Sequence, residues 1–302
     1  MSPTAAAIEI AGVRLTHPDK PLYPEEHIAK RDLARYYETV AKRMLPHVAR
    51  RLLSVVRCPD GRDEPCFFQR HPIPGSPDAI RHFKRQDEKD EPDYIYIEDL
   101  RGLIALAQMG VLEIHIWGSH VDDVDRPDRM VFDLDPAEDV PFTAVRAAAL
   151  QLREVLEAAQ LKSFPLLSGG KGLHVVVPLR PRHGWDVVKG FAGALAQRLA
   201  AEQPDRYVAT MAKAKRKGRI FIDVFRNDKT ATAIAPYSTR SRPGAPLAWP
   251  LSWAALPRVE SAHIVTLANF RRRLAGADPW SAYAKTNQTL EPPALKTLGI
   301  DA

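Results

Sequence analysis

The stretch from Arg129 to Asn227 alternates apolar strands with long helical segments, and this alternation restricts the chain to folds that mix α and β structure. Strands and helices of this kind pack as sheets covered by helices. The predicted elements are a strand at RMVFDLDP (129–136), a helix at 143–159, a strand, turn and strand at FPLLSGGKGLHVVVPL (164–179), a helix at 185–202 and a strand at GRIFIDVFRN (218–227).

Further elements are predicted on either side of this stretch, and the 26 prolines of the chain mark frequent turns between elements. With these elements the chain has at least seven strands. They are a strand pair at 8–15, a Pro-rich loop at 16–26, helices at 30–50 and 98–108 (the second closed by Gly110), strands at 52–57, 94–97, 111–117 and 230–240, a polar loop or frayed helix at 79–93 and a basic helix at 269–274.

Length and charge set limits on the class of protein. The 302 residues allow one large domain or two closely joined modules with a hydrophobic core. The chain has 43 Lys and Arg residues and 37 Asp and Glu residues, so its formal net charge is +6. A positive charge makes polyanions plausible partners. Many proteins of similar charge bind no nucleic acid, so charge alone does not select this class.

The cysteines and the N-terminus bear on localisation. Cys58 and Cys66 form neither a CxxC motif nor a disulfide framework, which fits a reducing, intracellular compartment. The start, MSPTAAAIEI, lacks a basic region followed by a long apolar region, so no secretory signal is predicted. No stretch approaches ~20 uncharged apolar residues, so no membrane span or membrane partner is expected.

The segment FDLDP carries two acids on one predicted strand. Asp133 and Asp135 are two residues apart, so their side chains point to the same face. Neighbouring carboxylates repel each other unless a cation lies between them, and carboxylate oxygens favour hard cations such as Mg²⁺ or Mn²⁺. The alternative is a solvated acidic strand end or a helix N-cap pair. The flanking run MVFDLD, which predicts a buried strand on one side of each acid, favours the metal interpretation.

A third acid, Asp223, lies within the apolar strand RIFIDVF. An ionised carboxylate is costly to bury unless it is paired or binds a metal. Asp223 could instead face solvent or pair with Arg219 or Arg226. Three carboxylates from two strands can hold two ions about 3.5–4 Å apart, which is the arrangement that phosphoryl transfer uses.

The turn SGGKGLH places three glycines among groups that bind phosphate. The glycines allow the backbone to approach a ligand, while Ser168, Lys171 and His174 offer a hydroxyl, a positive charge and an imidazole. The turn is not a Walker A motif, because the spacing differs and a strand follows it. A tight hairpin with an incidental lysine is the alternative. Arg240 and Arg242, in STRSR, suit phosphate oxygens or are surface arginines.

Taken in order, FDLDP, SGGKGLH and IFIDVF resemble the three motifs of the archaeo-eukaryotic primase superfamily, and most closely the polymerase domain of bacterial DNA ligase D. The segments HPDKPLYP, EIHIWGS and YSTRSR are also similar to that family, so the resemblance extends over nearly the whole chain. It implies an α+β fold, a primase-like mixed α/β domain with two sheets flanking an active-site cleft. It also implies one catalytic domain over 1–302, with an end-binding part at about 1–110 and a catalytic part at about 111–302.

The resemblance implies a role for each matching residue. Asp133, Asp135 and Asp223 would bind two divalent cations, Mn²⁺ or Mg²⁺, and carry catalysis. The nucleoside triphosphate, ribo or deoxy, would be bound by Ser168, Lys171, His174, His115, Arg240 and Arg242. Lys20 and Lys30 would bind the 5′ phosphate of a DNA end or gap, and Phe67 and Phe68 would stack on a template base.

The expected function is therefore nucleotide addition to a 3′ hydroxyl at DNA ends and gaps during end joining, with a template or without one. Ligase and phosphoesterase modules of the same polypeptide and a Ku-type end-binding protein are the expected partners, in the bacterial cytoplasm at the nucleoid. The chain has no ligase-type KxDG motif, so it is expected to be a stand-alone homologue or an excised domain that seals no nicks. A non-catalytic end-binding module and a metal-dependent phosphoesterase or nuclease are the alternatives.

Overall fold

The computed structural model describes residues 7–72, 74–84 and 93–292. The helices are α1 (Lys30–Val48), α2 (Leu100–Gln108), α3 (Phe142–Ala158), α4 (Trp185–Glu202) and α5 (Phe270–Leu274). The strands are β1 (Ile8–Ile10), β2 (Val13–Leu15), β3 (Pro21–Tyr23), β4 (Ile28–Ala29), β5 (Leu53–Arg57), β6 (Phe67–Gln69), β7 (Arg81–Phe83), β8 (Tyr94–Tyr96), β9 (Val111–Ile116), β10 (Arg129–Pro136), β11 (Phe164–Leu167), β12 (Leu173–Pro178), β13 (Tyr207–Val208), β14 (Ile220–Asp223), β15 (Ala233–Ile234) and β16 (Trp249–Pro250).

The chain divides into two compact units, and each is made of segments that are separate in sequence. The first unit comprises Met1–Ile116, Ile234–Leu247 and Thr266–Gly276. The second unit comprises Trp117–Ala233, Ala248–Val265 and Ala277–Ala302. Among the described helices, none combines the length and the apolar composition needed to cross a membrane.

The first unit contains a sheet with the strand order β15-β9-β5-β8-β7, and β6 also pairs with β5. Two small hairpins, β1-β2 and β3-β4, lie outside this sheet. Helices α1 and α2 pack on each other, and α2 also packs on β9. Helix α2 begins where the Asp99 side chain accepts a hydrogen bond from Gly102 N, and the backbone turns out of it at Gly110 with φ of 72°.

The second unit contains a six-stranded sheet with the order β13-β14-β10-β12-β11-β16. Its described pairs are antiparallel except β13 with β14. Helices α3 and α4 pack against the sheet, and both contact β10. Along β10, Phe132 and Leu134 are buried and alternate with Asp133 and Asp135, so one face of the strand is apolar and the other is acidic.

Most predicted elements are confirmed, and the differences have local causes. The strand predicted at 218–227 is shorter, because a 3₁₀ turn at Phe225–Asn227 follows β14. Of the strand predicted at 230–240 only β15 forms, because Thr230 and Tyr237 have positive φ angles of 73° and 66° that extended strands do not accommodate. The segments predicted as loops at 16–26 and 79–93 contain β3 and β7, and residues 85–92 lie outside the described residues.

The prediction that the two cysteines form no disulfide framework is wrong, because the structure joins Cys58 to Cys66. The antiparallel pairing of β5 with β6 explains the bond. Arg57 pairs with Phe67, so the next residues outward, Cys58 and Cys66, lie opposite each other with their Cα atoms 4.4 Å apart. The bond closes the loop that connects the two strands.

Candidate active site

Two aspartates and a histidine lie side by side on three neighbouring strands of the second unit. Asp133 of β10 pairs with Asp223 of β14 on one side and with His174 of β12 on the other. Directly paired residues place their side chains on the same face of a sheet, and His174 Nε2 lies 3.4 Å from Asp133 Oδ1. Asp135, two residues further along β10, shares this face. The three predicted metal ligands therefore lie on one face of one sheet.

Two arginines of the same unit contact these carboxylates. Arg226 Nη2 lies 3.4 Å from Asp133 Oδ2 and 3.3 Å from Asp223 Oδ2, so it bridges the two acids. Arg216 Nη1 lies 3.4 Å from Asp135 Oδ2, and its guanidinium stacks 4.0 Å from the centre of the Phe221 ring. The sequence left open whether Asp223 pairs with an arginine or lies with the other acids. The structure shows both, because Asp223 pairs with Arg226 and also lies beside Asp133.

The arginines do not compensate the acids fully. Burial raises the pKa of Asp223, the charge of Arg226 opposes this, and the charge of Asp133 raises the pKa further. Burial also raises the pKa of Asp135, again with a contribution from Asp133. In these groups the repulsion and the loss of solvation outweigh the available cations. An added cation would therefore be favourable on this face.

The donor set fits a hard divalent cation, although the side chains are not arranged around one. Carboxylate oxygens are the ligands that Mg²⁺ and Mn²⁺ prefer, and the acidic face supplies three carboxylates. Within residues 7–72, 74–84 and 93–292, no group of three or more His, Cys, Asp or Glu side chains is already positioned to hold a metal ion. The contacts of Arg216 and Arg226 give the reason, since both occupy carboxylate oxygens.

The glycine-rich turn lies against β10 beside these acids. A Cβ atom at Gly172 would come within 2.4 Å of the Leu134 carbonyl oxygen and 3.6 Å of Asp133 Oδ1, so only glycine fits there. The Ser168 hydroxyl donates to Gly172 O at 2.7 Å and accepts from Gly170 N at 3.2 Å. Ser168 thus shapes the turn that brings its backbone to the acidic face.

The other two predicted residues of the turn differ in exposure. Lys171 is exposed, and its Nζ lies 3.2 Å from Glu138 Oε1. His174 is buried, and its Nδ1 has no hydrogen-bond partner in the described part of the chain. A buried ring nitrogen without a partner is costly, which fits a group that a ligand completes. The turn therefore presents an exposed ammonium group on a long side chain, Lys171, and a buried imidazole, His174.

The first unit holds a second set of predicted nucleotide-binding residues around Glu113, which sequence reasoning missed. Its Oε2 lies 2.9 Å from His115 Nε2 and 3.1 Å from Arg240 Nε, and its Oε1 accepts from Ser241 N and Oγ. Burial alone would raise the pKa of Glu113, but the hydrogen bond with His115 and the charge of Arg240 lower it to about 2. Glu113 therefore positions His115 and Arg240, whereas Arg242 is exposed.

The two lysines predicted to bind a 5′ phosphate lie together in the first unit. Lys30 N donates to Lys20 O at 2.9 Å, and the buried Lys30 side chain donates from Nζ to Thr16 O at 2.9 Å. Burial lowers the pKa of Lys30, and the charge of Lys20 lowers it further. Lys20 Nζ lies 2.5 Å from Asp60 Oδ1, a contact that the sequence did not indicate. Two lysines whose charges act on each other in this way suit an anion.

The predicted stacking residues are the exposed aromatic side chains of β6. Phe67 is 45% exposed and Phe68 is 71% exposed, which is unusual for large apolar side chains. The Arg57 guanidinium lies 5.7 Å from the centre of the Phe67 ring, and the Phe68 ring lies 5.8 Å from that of His115. Exposed rings on a strand are available to stack on bases.

The residues that sequence reasoning missed have weak signals. Glu113 is two residues before His115 on one strand, so a shared face could have been inferred. The sequence indicates Arg226 only as a possible ion-pair partner of Asp223. Arg216 and Asp60 lie in loops, and nothing in the local pattern indicates their partners.

The comparisons with known proteins decide the family. Residues 29–280 match the family described as LigD, primase-polymerase domain. The chain belongs to this family. It is 35% identical over 98% of its length to the multifunctional non-homologous end joining protein LigD of Pseudomonas aeruginosa, and 35% identical over 83% of its length to that of Mycolicibacterium smegmatis. These matches cover 36% and 33% of the two LigD proteins, so the chain spans about a third of their length.

A solved structure supports the same conclusion. The polymerase domain from Mycobacterium tuberculosis ligase D in complex with DNA is 32% identical and superposes with a TM-score of 0.80, over 87% of this chain and 94% of that one. The predicted LigD family and the mixed α/β fold class with two main sheets are confirmed. The match to a primase-polymerase domain family fits the predicted class of enzyme. The roles of individual residues remain predictions.

Proposed function

We propose that the chain is a metal-dependent nucleotidyltransferase that adds ribo- or deoxynucleotides to the 3′ hydroxyl at DNA ends and gaps during end joining. The observation that carries the proposal is the register of the second sheet. It sets Asp133 between Asp223 and His174, with Asp135 on the same face. A cluster of partly buried acids whose pKa values are raised is the expected state of a metal site before its cations bind.

In this proposal Asp133, Asp135 and Asp223 bind two divalent cations, Mn²⁺ or Mg²⁺. Such cations would lower the pKa of the attacking 3′ hydroxyl and would neutralise the charge of the triphosphate, from which pyrophosphate leaves as the new P–O bond forms. The residues of the chain have separate tasks. The three carboxylates would hold the cations, and Arg216 and Arg226 would have to release the carboxylate oxygens that they contact in this structure.

Each unit, taken by itself, contains groups that suit a nucleotide. In the second unit the backbone of the glycine-rich turn, the Lys171 ammonium and the His174 imidazole suit triphosphate oxygens, with Ser168 holding the turn in shape. In the first unit Arg240 and His115 are oriented by Glu113, and Arg242 adds a positive charge. A guanidinium fixed by a carboxylate, as Arg240 is by Glu113, stabilises developing charge without having to reorganise.

DNA binding is proposed to use the first unit. Lys20 and Lys30 bind the 5′ phosphate at a gap or break, and Phe67 and Phe68 stack on a template base. The solved relative is described in complex with DNA, which supports a DNA substrate. Because the matches cover only 36% and 33% of the two LigD proteins, we also propose ligase and phosphoesterase modules and a Ku-type protein as partners.

The test is primer extension on a gapped duplex with a downstream 5′ phosphate, with Mn²⁺ or Mg²⁺ and with ribo- or deoxynucleotides. Asp135→Asn keeps the shape of the side chain and removes its charge. Asp205→Asn, at an exposed turn of the same unit, is the matched control. We expect template-directed extension by the wild type and the control, and its loss in Asp135→Asn with DNA binding retained in a shift assay.

The other outcomes separate the competing functions. Extension by Asp135→Asn at the wild-type rate would contradict the metal assignment. DNA binding without any extension by the wild type would favour an end-binding module. Strand degradation without nucleotide addition would favour a nuclease.

A further inference from the structure

The loop between β5 and β6 links the proposed 5′-phosphate site at Lys20 and Lys30 to the exposed rings of Phe67 and Phe68. It runs from Cys58 to Cys66, and the disulfide between these residues closes it at its base. Phe67 follows Cys66 directly. Asp60 projects from the loop with 71% of its side chain exposed, and its Oδ1 lies 2.5 Å from Lys20 Nζ, 40 residues away in sequence.

The position of the loop is fixed by contacts other than this ion pair. Arg62 N donates to Leu22 O, and the buried Arg62 side chain contacts Glu25, Glu26 and Asp63. Gly61 has φ of 104°, and a Cβ atom there would lie 3.0 Å from Pro21 O, so the backbone presses against β3. The loop is therefore held on the segment that carries Lys20, and Asp60 reaches Lys20 from a fixed base.

The charges at this site are incompletely balanced. Lys30 N donates to Lys20 O, and burial together with the charge of Lys20 lowers the pKa of Lys30. The buried Lys30 Nζ donates to a neutral acceptor, Thr16 O. Asp60 brings one negative charge to Lys20. A group with more than one negative charge would neutralise the two lysines better than Asp60 does.

We propose that Asp60 is a specificity-determining residue of the 5′-phosphate site, which it occupies in the absence of DNA and yields only to a phosphomonoester. This inference rests on the proposed function of Lys20 and Lys30. A terminal phosphate carries about −1.5 to −2 charges at pH 7, so it displaces Asp60 with a net gain. A phosphodiester would exchange one single charge for another, and a 5′ hydroxyl leaves the ion pair intact.

The test measures the affinity of the full chain for gapped duplexes by fluorescence polarisation. The downstream strand ends in a 5′ phosphate, a 5′ methyl phosphate with a single charge, or a 5′ hydroxyl. The wild type is expected to favour the phosphate and to bind the other two equally. Asp60→Asn is expected to bind the phosphate about three- to tenfold more tightly, to favour the methyl phosphate over the hydroxyl, and to leave hydroxyl binding unchanged.

The matched control is Glu64→Gln, which removes the same charge from an exposed position of the same loop. It is expected to preserve the wild-type ratios among the three ends. An equal gain of Asp60→Asn for all three ends would overturn the proposal, because it would reflect general electrostatics. The same gain in a Lys20→Met background would also overturn it, because Asp60 must act through Lys20.

Two results distinguish this proposal from the function on which it rests. If the wild type binds phosphate and hydroxyl ends equally, the assignment of Lys20 and Lys30 as a 5′-phosphate site is refuted, and the role of Asp60 is refuted with it. If the wild type favours the phosphate but Asp60→Asn changes no ratio, the site stands and only the role of Asp60 is refuted.

Discussion

Glu113 and Asp223 are carboxylates on β-strands with little solvent exposure, yet their pKa values move in opposite directions. Burial alone would raise both. At Glu113 the hydrogen bond with His115 and the charge of Arg240 outweigh burial, and the pKa falls to about 2. At Asp223 burial outweighs the charge of Arg226, and Asp133 adds to it, so the pKa rises.

The difference reflects how many donors the chain supplies to each acid. Glu113 has four contacts of its own, from His115, Arg240 and both the N and Oγ of Ser241. Asp223 accepts from Phe225 N and shares Arg226 with Asp133. An acid that its own chain satisfies is structural, whereas a cluster whose arginines do not offset burial and repulsion is suited to bind cations from outside. Four measurements test this difference between the two acids.

The largest effect is expected for Asp223→Asn. Loss of a metal-binding charge should lower the rate of primer extension at least about 100-fold, because charge stabilisation in the transition state is lost. The amide oxygen can still accept from Phe225 N, and the raised pKa shows that the charge itself is unfavourable in the fold. The melting temperature should therefore be unchanged or higher. A variant that extends normally, or one that unfolds, would contradict the distinction drawn here.

Glu113→Gln is expected to have the opposite profile. It leaves the positive charge of Arg240 without its carboxylate, and breaking a buried pair costs about 3 kcal/mol. The free energy of unfolding from urea denaturation should fall by that amount. Glu9→Gln, at an exposed position of β1 in the same unit, is the control and should be neutral. Equal stability of the Glu113 and Glu9 variants would show that Glu113 is not structural.

The stability of the wild type should depend on pH through Glu113. Its pKa in the folded protein is about 2, below the ordinary value of 4.5. A depressed carboxyl pKa contributes stability that is fully present above pH 4.5 and is lost as the pH falls towards about 2. Urea denaturation across this range should show a steeper loss for the wild type than for Glu113→Gln. Parallel curves would assign the acid sensitivity to other groups.

The smallest effect is expected for Arg226→Gln. Without the arginine a divalent cation need not displace it from Asp133 and Asp223, so Mn²⁺ should bind about two- to fivefold more tightly by calorimetry. Arg219→Gln is the control, since the Arg219 side chain donates to Lys215 O instead. Weaker Mn²⁺ binding in Arg226→Gln would mean that Arg226 supports the cation site and does not compete for it.

Much of the fold was predictable because it follows from local periodicity. The helices at Lys30–Val48 and Trp185–Glu202 match their predicted positions closely, and their apolar residues recur at helical spacing. The strand predicted at 230–240 failed, because the positive φ angles at Thr230 and Tyr237 depend on surrounding contacts that an apolar pattern does not record. The disulfide was missed for a related reason, since it depends on the pairing of β5 with β6.

The candidate site divides in the same way. By itself the sequence determined that Asp133 and Asp135 share a face and that the motifs belong to a primase-like polymerase, because side chains on a strand alternate and motifs are contiguous. Three contacts could be read only from the folded chain. Asp223 and His174 flank Asp133. Glu113 forms an ion pair with Arg240, and Asp60 forms one with Lys20. Those contacts depend on which strands pair and where loops close, and residues distant in sequence meet only when the whole chain has folded.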